Sequence, residues 1–211
     1  MGKQPTRERI LREGLLLFAR KGYGAVSVEE IAAAVGIKAP SLYKHFAGKR
    51  EIFETIVGEM KARHLQTMRE MQMRGGAEQD IAMFVHIGEA QLVDIGKRLF
   101  EYFLHDEAFS NLRKMLTLSQ YADAEIAGLL ADQCMSGPLK YNEQLFGLMM
   151  EAGAFIPGPP KVMALQFYAP IYLLLLQCDI SPELETESKR TLEGHIRQFH
   201  HLYAVMKENA I

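Results

Sequence analysis

The amino-acid sequence predicts an all-α protein, and two observations carry that prediction. Apolar residues recur at intervals of three and four along most of the 211-residue chain, as they do on one face of an amphipathic helix. Strand-like alternation of apolar and polar residues between turn residues is not evident. Hydrophobic residues make up 48% of the chain, which is enough to fill the core of one large domain or of one small and one medium domain.

The first predicted helix begins near Pro5-Thr6 and ends at about Lys21. Its apolar face includes Ile10 and Phe18, which lie on the same side at helical spacing. Gly22 follows, and we expect it to end the helix in a left-handed conformation, because glycine has no Cβ atom to clash there.

A second helix begins after Ser27. Ser27 and Glu30 have the spacing of a capping box, and Val26 and Ile31 can form a hydrophobic staple around it. Gly36 ends this short helix, and a tight turn leads to another short apolar-periodic segment. Two short helices joined by a glycine-containing turn, behind a longer first helix, are typical of a helix-turn-helix unit.

The next segment, "KAPSLYKHF" from Lys38 to Phe46, is rich in basic and aromatic residues. Pro40 falls in the first turn of the predicted helix, where a missing N–H costs nothing. We expect Leu42 and Phe46 to point inward and the side chains between them to face outward. Such a helix can present its front residues and its outward cations to the base edges and phosphates of a nucleic acid.

The charge distribution supports a polyanionic partner for the N-terminal part. Residues 1–50 carry ten basic and four acidic side chains, whereas the remaining residues carry 14 basic and 22 acidic ones. A basic N-terminal region on an acidic body indicates that the former meets nucleic acid.

A single long helix is predicted from Gly48 to Gly75-Gly76, roughly 40 Å in length. Breaks are expected at Asp106-Glu107, at Ser136-Gly137-Pro138 and at the proline-rich turn 156–160. The helices between these points are predicted at about 78–104, 109–120, 122–135 and 138–152.

The last two predicted helices differ in kind. The segment Val162–Cys178 contains no charged residue, and Pro170 interrupts it, so we expect a helix buried on nearly all sides rather than a membrane span. The final helix carries an apolar stripe that runs to Met206 with alternating steps of four and three. Together they suggest a four-helix interface between two copies of the chain. The predicted interface residues are Tyr172, Leu176, Leu192, Ile196, Phe199 and Tyr203.

The stretch "SVEEIAAAVGIKAPSLYKHFAGKREIF", Ser27–Phe53, resembles the tetracycline-repressor-like (TetR) family of transcriptional regulators. The resemblance covers about the first 55 residues, and the capping, turn and aromatic positions agree in order and spacing. Two positions depart from the family pattern, with Lys38 where serine or threonine is common and Gly48 where serine or asparagine is common.

The resemblance implies a helix-turn-helix DNA-binding domain over residues 1–47, with the motif at about 27–46. Residues 48–211 would form a helical effector-binding and dimerisation domain. The residues expected at the DNA are Ser27, Lys38, Ala39, Pro40, Ser41, Tyr43, Lys44, His45 and Lys49. Each has a purely structural alternative: Tyr43 can be a packing residue, Lys44 a solvated cation, His45 a cap.

The resemblance also implies a homodimeric, cytoplasmic regulator, most often a repressor, that binds a palindromic operator and is released by a small molecule. The candidate pocket residues are Met68, Phe84, His86, Phe100, Phe103, Met115, Tyr121, Phe146 and Met149. Methionine and aromatic residues at helical spacing also suit a plain core. The alternative is a DNA-binding architectural or partner-controlled protein whose body binds another protein and no small molecule.

We expect no enzyme, metal or cofactor. Cys134 and Cys178 match no metal or redox spacing, so both are interpreted as reduced core thiols. The sequence contains no glycine-rich phosphate loop, nucleophile elbow or HExxH motif.

Overall fold

Helices form nearly all the regular structure of residues 4–205, the part of the chain that the computed structural model describes; Met206 lies outside it. The elements are α1 (Thr6–Lys21), α2 (Val28–Val35), α3 (Ala39–Leu42), α4 (Lys49–Glu70), α5 (Ala77–Phe84), α6 (Glu89–His105), α7 (Glu107–Ser119), α8 (Ala124–Ala131), a π-helical segment (Asp132–Ser136), α9 (Gly137–Glu151), α10 (Pro160–Ile180), a 3₁₀ turn (Pro182–Leu184) and α11 (Glu185–Tyr203). The all-α prediction is confirmed.

The described chain divides into two compact units, which do not coincide with the predicted boundary at residue 47. The first unit comprises the chain up to Gln66 together with Glu107–Ala131. The second comprises Thr67–Asp106 and the chain from Asp132 onwards. The first unit includes α7, which lies far beyond residue 47 in the sequence, because α1 packs along it.

The core of the first unit holds the helix-turn-helix against α1, α4 and α7. Its fully buried side chains include Ile10, Phe18, Ile31, Leu42, Ile52, Phe53, Met115 and Leu116. At Gly14 a Cβ atom would lie 3.1 Å from Ile52 Cγ2, so glycine allows α1 and α4 to approach closely at this point.

The second unit pairs α5 with α9, α6 with α11, and α10 with both α9 and α11. Five aromatic residues of this unit form a continuous set of ring contacts: Phe146, Phe155, Phe167, Phe199 and Tyr203. Such ring pairs stabilise a core beyond the area that they bury.

A buried polar link joins α5 to α9 in the second unit. Asp80 accepts hydrogen bonds from the backbone N–H of Arg74 at 2.6 Å and from the Tyr141 hydroxyl at 2.8 Å. Burial, and then the hydrogen bond to Asp80, raise the pKa of Tyr141, so its hydroxyl stays a donor. Because both carboxylate oxygens are satisfied, Asp80 is tolerated in the core.

Three predicted boundaries are wrong for identifiable reasons. The predicted helix 78–104 is two helices, because Gly88 takes an extended conformation and donates to Gln91 Oε1 as the cap of α6. The helix α4 ends at Glu70 because Gln72 adopts a left-handed φ of 63°. The predicted break at 136–138 is absent, because the π-helical segment carries the chain into α9 and Pro138 lies in the first turn of α9.

Replacing Gly96 by alanine should destabilise the second unit. A Cβ atom at this position would overlap Ile196 Cδ1, which is buried at the contact of α6 and α11. We expect a loss of about 1–3 kcal/mol in the free energy of unfolding, measured by urea denaturation. The control is Gly147→Ala in α9, where a Cβ atom meets nothing within 4 Å and should cost nothing. Equal stabilities of the two variants would contradict the close approach.

Candidate functional site

The start of α2 is held by the capping box predicted from the sequence. Ser27 Oγ accepts from the Glu30 N–H at 3.1 Å, and the Glu30 carboxylate accepts from the Ser27 N–H at 2.9 Å. The same carboxylate accepts from Lys21 Nζ at 2.7 Å, which ties the end of α1 to the start of α2. The hydrogen bonds from Lys21 and then from Ser27 hold the pKa of Glu30 below its ordinary value.

The turn after α2 sets the direction of α3. Gly36 ends α2, as predicted. Its backbone is left-handed, with φ 75° and ψ 33°, and its N–H donates to Ala33 O at 3.0 Å. The N–H of Ile37 donates to Ala32 O at 2.9 Å. These bonds satisfy the last carbonyls of α2 and leave only Lys38 before the next helix.

Hydrogen bonds extend the recognition segment beyond the four residues of α3. The N–H groups of His45 and Phe46 both donate to Leu42 O, at 2.8 and 3.1 Å. Leu42 and Phe46 are buried, which confirms their predicted inward orientation. Between them Tyr43, Lys44 and His45 are exposed in one short run.

The other residues predicted at DNA differ in their accessibility. Ser27, Lys38 and Pro40 are exposed, whereas Ala39 and Ser41 are half-buried. Their contact with DNA stays a prediction, but only side chains with free surface can make it.

Most cations of the first fifty residues are engaged within the chain. Arg7 pairs with Glu59 at 3.2 Å, Arg12 with Glu13 at 2.7 Å, and Arg9 donates to the Val35 carbonyl. Lys21, Lys49 and Arg50 also have partners in the first unit: Lys21 with Glu30, Lys49 with the carbonyls of Tyr23 and Gly24, and Arg50 with Glu54 and Glu125.

Among the described residues of this region, Arg20, Lys38 and Lys44 have no such partner. Two of the three flank or belong to the recognition segment. The positive charge that is available to an external anion is therefore concentrated at α3 and not spread over the whole N-terminal region.

Lys49 has a structural role that the sequence did not reveal. Its ammonium donates to the carbonyls of Tyr23 and Gly24 at 2.9 and 3.3 Å. It also lies 4.5 Å from the centroid of the Tyr23 ring, as in a cation–π contact. Lys49 thus fastens the loop between α1 and α2 to the start of α4. Two of the three N–H groups of its ammonium donate to these carbonyls, so its predicted phosphate contact would use the third one.

Tyr23 is the second residue that sequence reasoning missed. Its ring packs between those of Phe18 and Phe53, with centroids 5.3 and 5.0 Å away. Its N–H donates to Ser119 Oγ at the end of α7 at 2.9 Å, and burial raises the pKa of its hydroxyl. The position of Tyr23 between Gly22 and Gly24 predicts that it lies in a loop. It does not predict the contacts that Tyr23 makes with Phe18, Phe53 and Ser119.

The residues predicted to line a ligand pocket do not form one group. Phe84, Phe146 and Met149 belong to one buried cluster of the second unit. Phe100 and Phe103 belong to a different cluster. Each cluster is formed by the packing of helices, as in any core, and it stays a prediction that these residues line a pocket.

The other pocket residues lie elsewhere. Met115 is in the core of the first unit, and Met68 is buried near the end of α4. The predictions for His86 and Tyr121 are wrong: His86 is exposed, and Tyr121 is 94% exposed in the turn between α7 and α8, where no helix covers it.

The predicted dimer seam is likewise wrong at three positions. Leu192, Ile196 and Phe199 are buried within a single chain, because the apolar stripe of α11 packs against α6 and α10. They cannot also face a second copy. Tyr172, Leu176 and Tyr203 are half-buried and keep some free surface.

The exposed apolar surface lies on α10, which was predicted to be buried on nearly all sides. Only 28% of its most apolar 18-residue window is buried. Its exposed apolar side chains are Val162, Leu165, Leu173 and Ile180. We call these four residues the apolar face. By length and composition alone, α10 is also the one helix of residues 4–205 that could cross a membrane.

No group of three His, Cys, Asp or Glu side chains within residues 4–205 is arranged to hold a metal ion. The arrangement in the first unit is that of a helix-turn-helix unit, in which an anchored short helix presents cations and hydrogen-bond donors.

Comparison with known proteins finds a family match for the N-terminal segment. Residues 10–56 match the family described as "Bacterial regulatory proteins, tetR family". This segment is therefore similar to a family of transcriptional regulators, which are not enzymes.

Curated relatives match over parts of their length. The HTH-type transcriptional regulator TcmR of Streptomyces glaucescens is 27% identical over 133 residues, which are 60% of this chain and 59% of TcmR. IcaR of Staphylococcus aureus, a negative regulator of the biofilm operon icaADBC, is 39% identical over 51 residues. These residues are 24% of this chain and 27% of IcaR.

Solved structures match over nearly the whole chain and show the fold. The complex of SmeT with triclosan has a TM-score of 0.66 at 23% identity and covers 99% of this chain and 95% of that one. SmeT is the repressor of the SmeDEF efflux pump of Stenotrophomonas maltophilia. NalD of Pseudomonas aeruginosa has a TM-score of 0.58 at 19% identity, with coverage of 94% and 96%.

Replacing Lys49 by alanine should destabilise the first unit even without DNA. The change removes two hydrogen bonds from a charged donor and the contact with the Tyr23 ring. We expect a loss of about 1–3 kcal/mol in the free energy of unfolding. The matched control is Lys44→Ala, which removes an exposed lysine without a partner in this chain and should leave stability unchanged. If Lys49→Ala were as stable as the wild type, its structural role would be refuted.

Proposed function

We propose that this chain is a DNA-binding transcriptional regulator, most simply a cytoplasmic repressor, that binds a palindromic operator as a homodimer. The observation that carries the proposal is the exposed run Tyr43-Lys44-His45, fixed between the buried anchors Leu42 and Phe46. Side chains held on a rigid short helix can enter a major groove in one orientation, which sequence-specific recognition needs.

The proposed contacts divide by chemistry. Lys38 and Lys44 supply cations to phosphate oxygens, while Tyr43 and His45 donate hydrogen bonds to them. The exposed Ser27 lies at the N-terminus of α2, whose free N–H groups favour an anion. Ala39, Pro40 and Ser41 lie at the front of α3, where an apolar group can meet a thymine methyl and a hydroxyl a base edge.

The homodimer is proposed to form through the apolar face, not through the stripe of α11. Leu165, Leu173 and Ile180 are separated by eight and seven residues, so they lie on one side of α10. An exposed apolar surface of this kind costs free energy in water and marks an interaction site. Pairing with a second copy gives the two-fold symmetry that places two α3 helices in successive major grooves, about 34 Å apart.

A small apolar effector is proposed to bind in the second unit and to release the operator. The support is the methionine- and aromatic-rich cluster around Phe146 and Met149, together with the fold shared with the triclosan complex of SmeT. The effector must favour a conformer in which the two recognition helices no longer match the operator spacing, and DNA must weaken effector binding by the same factor.

The apolar face also supports a second candidate, a regulator controlled by another protein. In that case the face would be covered by a partner of different sequence, and the purified chain alone would be monomeric. The oligomeric state distinguishes the two candidates directly.

The salt dependence of DNA binding tests the cations of the recognition segment. Each of Lys38→Ala and Lys44→Ala should remove two phosphate contacts from the dimer, so the slope of log K against log salt should become shallower by about 2. The control is Arg12→Ala, whose cation is already paired with Glu13. An operator selected from a random DNA pool serves as the probe, and unchanged slopes for both lysine variants would reject their phosphate role.

A charge placed in the apolar face should abolish the dimer. Leu173→Glu would bury a carboxylate between two copies of α10, so we expect a monomer at micromolar concentration by analytical ultracentrifugation. Leu118→Glu is the matched control, because Leu118 is 57% exposed in the first unit and Leu173 is 58% exposed on α10. A wild-type monomer, or a Leu173→Glu dimer, would count against this interface.

A further inference from the structure

The chain between α8 and α9 passes through a short segment that departs from α-helical geometry. Residues Asp132–Ser136 are π-helical, and α9 follows at Gly137 without an intervening loop. The chain enters the second unit at Asp132, directly after Ala131 of the first unit. Turns of π-helix are rare within helices and occur frequently at functional sites. We call residues 132–138 the π-joint.

Gly137 is required by the geometry of the π-joint. A Cβ atom on Gly137 would lie 2.1 Å from the carbonyl oxygen of Asp132, far inside van der Waals contact. Any other residue would push these two groups apart, so the π-helical form depends on a glycine at this position.

Pro138 removes the α-helical donor of one carbonyl in the π-joint. In an α-helix the carbonyl of Cys134 would accept from the N–H of residue 138, and proline has none. A side chain of α10 supplies a donor, because the Tyr168 hydroxyl oxygen lies 2.8 Å from the Cys134 carbonyl oxygen. A carbonyl oxygen only accepts, so the hydroxyl donates.

Neighbouring side chains hold both ends of the π-joint. The ring of Tyr168 stacks on that of Tyr172, one turn later in α10, with centroids 6.2 Å apart and planes at 14°. At the other end, Asn142 Nδ2 donates to the Pro138 carbonyl at 2.8 Å. Of these two restraints, the one at Tyr168 comes from a different helix, so it can be released without any change within α9.

We propose that Tyr168 is the latch of a conformational joint. Its hydroxyl holds the π-joint in the present form, and release of this bond opens the segment while α10 and α11 stay folded. An open π-joint gives the chain freedom at the point where it passes from one unit to the other. The latch needs no operator, effector or second copy, so it stands or falls separately from the function proposed above.

Hydrogen–deuterium exchange of the full chain, measured by mass spectrometry, tests the latch. Tyr168→Phe removes the hydroxyl and keeps the ring that stacks on Tyr172. A peptide covering residues 130–140 has the same sequence in this variant as in the wild type, so a change in its exchange rate measures local opening. The matched control is Tyr203→Phe, which removes a different hydroxyl bond to α10, the one to Gln166 Oε1.

We expect Tyr168→Phe to speed exchange in residues 130–140 about threefold to tenfold, as loss of one hydrogen bond implies, and Tyr203→Phe to leave it within about twofold of the wild type. Pro138→Ala restores an N–H four residues after Cys134. In that background Tyr168→Phe should therefore change the exchange rate by less than about twofold.

Three results would overturn the latch. Unchanged exchange in Tyr168→Phe would show that the hydroxyl does not hold the π-joint. Equal acceleration with proline and with alanine at position 138 would show that the hydroxyl does not replace the missing N–H. Acceleration of the same size in peptides of α11 would show that the whole second unit is destabilised and that no local joint opens.

Discussion

The bond between the Lys49 ammonium and the Tyr23 carbonyl is a contact on which the helix-turn-helix part depends. It joins the loop after α1 to the start of α4, and Tyr23 in turn contacts Phe18, Phe53 and Ser119. The helix α3 has only four residues and cannot be stable alone. Its position is therefore determined by the helices around it, and these are held together at Tyr23.

Like Lys49, other basic residues of the N-terminal region bond to groups of their own chain. Several of its cations stabilise the fold: Lys21 pairs with Glu30 of the capping box, Arg9 donates to the Val35 carbonyl in the last turn of α2, and Lys49 fastens the loop after α1. Formal charge therefore overstates the field available to DNA. Of the three cations without a partner, Lys38 and Lys44 lie at the recognition segment, beside the groups that are proposed to read bases, and this arrangement would favour specific over diffuse binding.

Features set by neighbours in the chain were predictable, whereas features set by distant contacts were not. The Ser27–Glu30 box and the end of α2 at Gly36 follow from local hydrogen bonding, so the sequence predicted both. The period of the α11 stripe shows that Leu192 lies on an apolar side, but not whether its own chain or a copy covers that side. The exposure of Tyr121 and the role of Lys49 depend on contacts far apart in sequence, and no local pattern encodes them.

The anchored segment after Gly36 is proposed to read DNA while Lys49 holds the loop after α1 to the start of α4. A crystal structure of the protein bound to a selected operator tests this division of roles most directly. We expect two α3 helices in successive major grooves, about 34 Å apart. We also expect Lys38 and Lys44 within hydrogen-bonding distance of the DNA and Lys49 still bonded to the Tyr23 carbonyl. A complex in which Lys44 points to solvent, or in which Lys49 leaves Tyr23 for a phosphate, would contradict these roles.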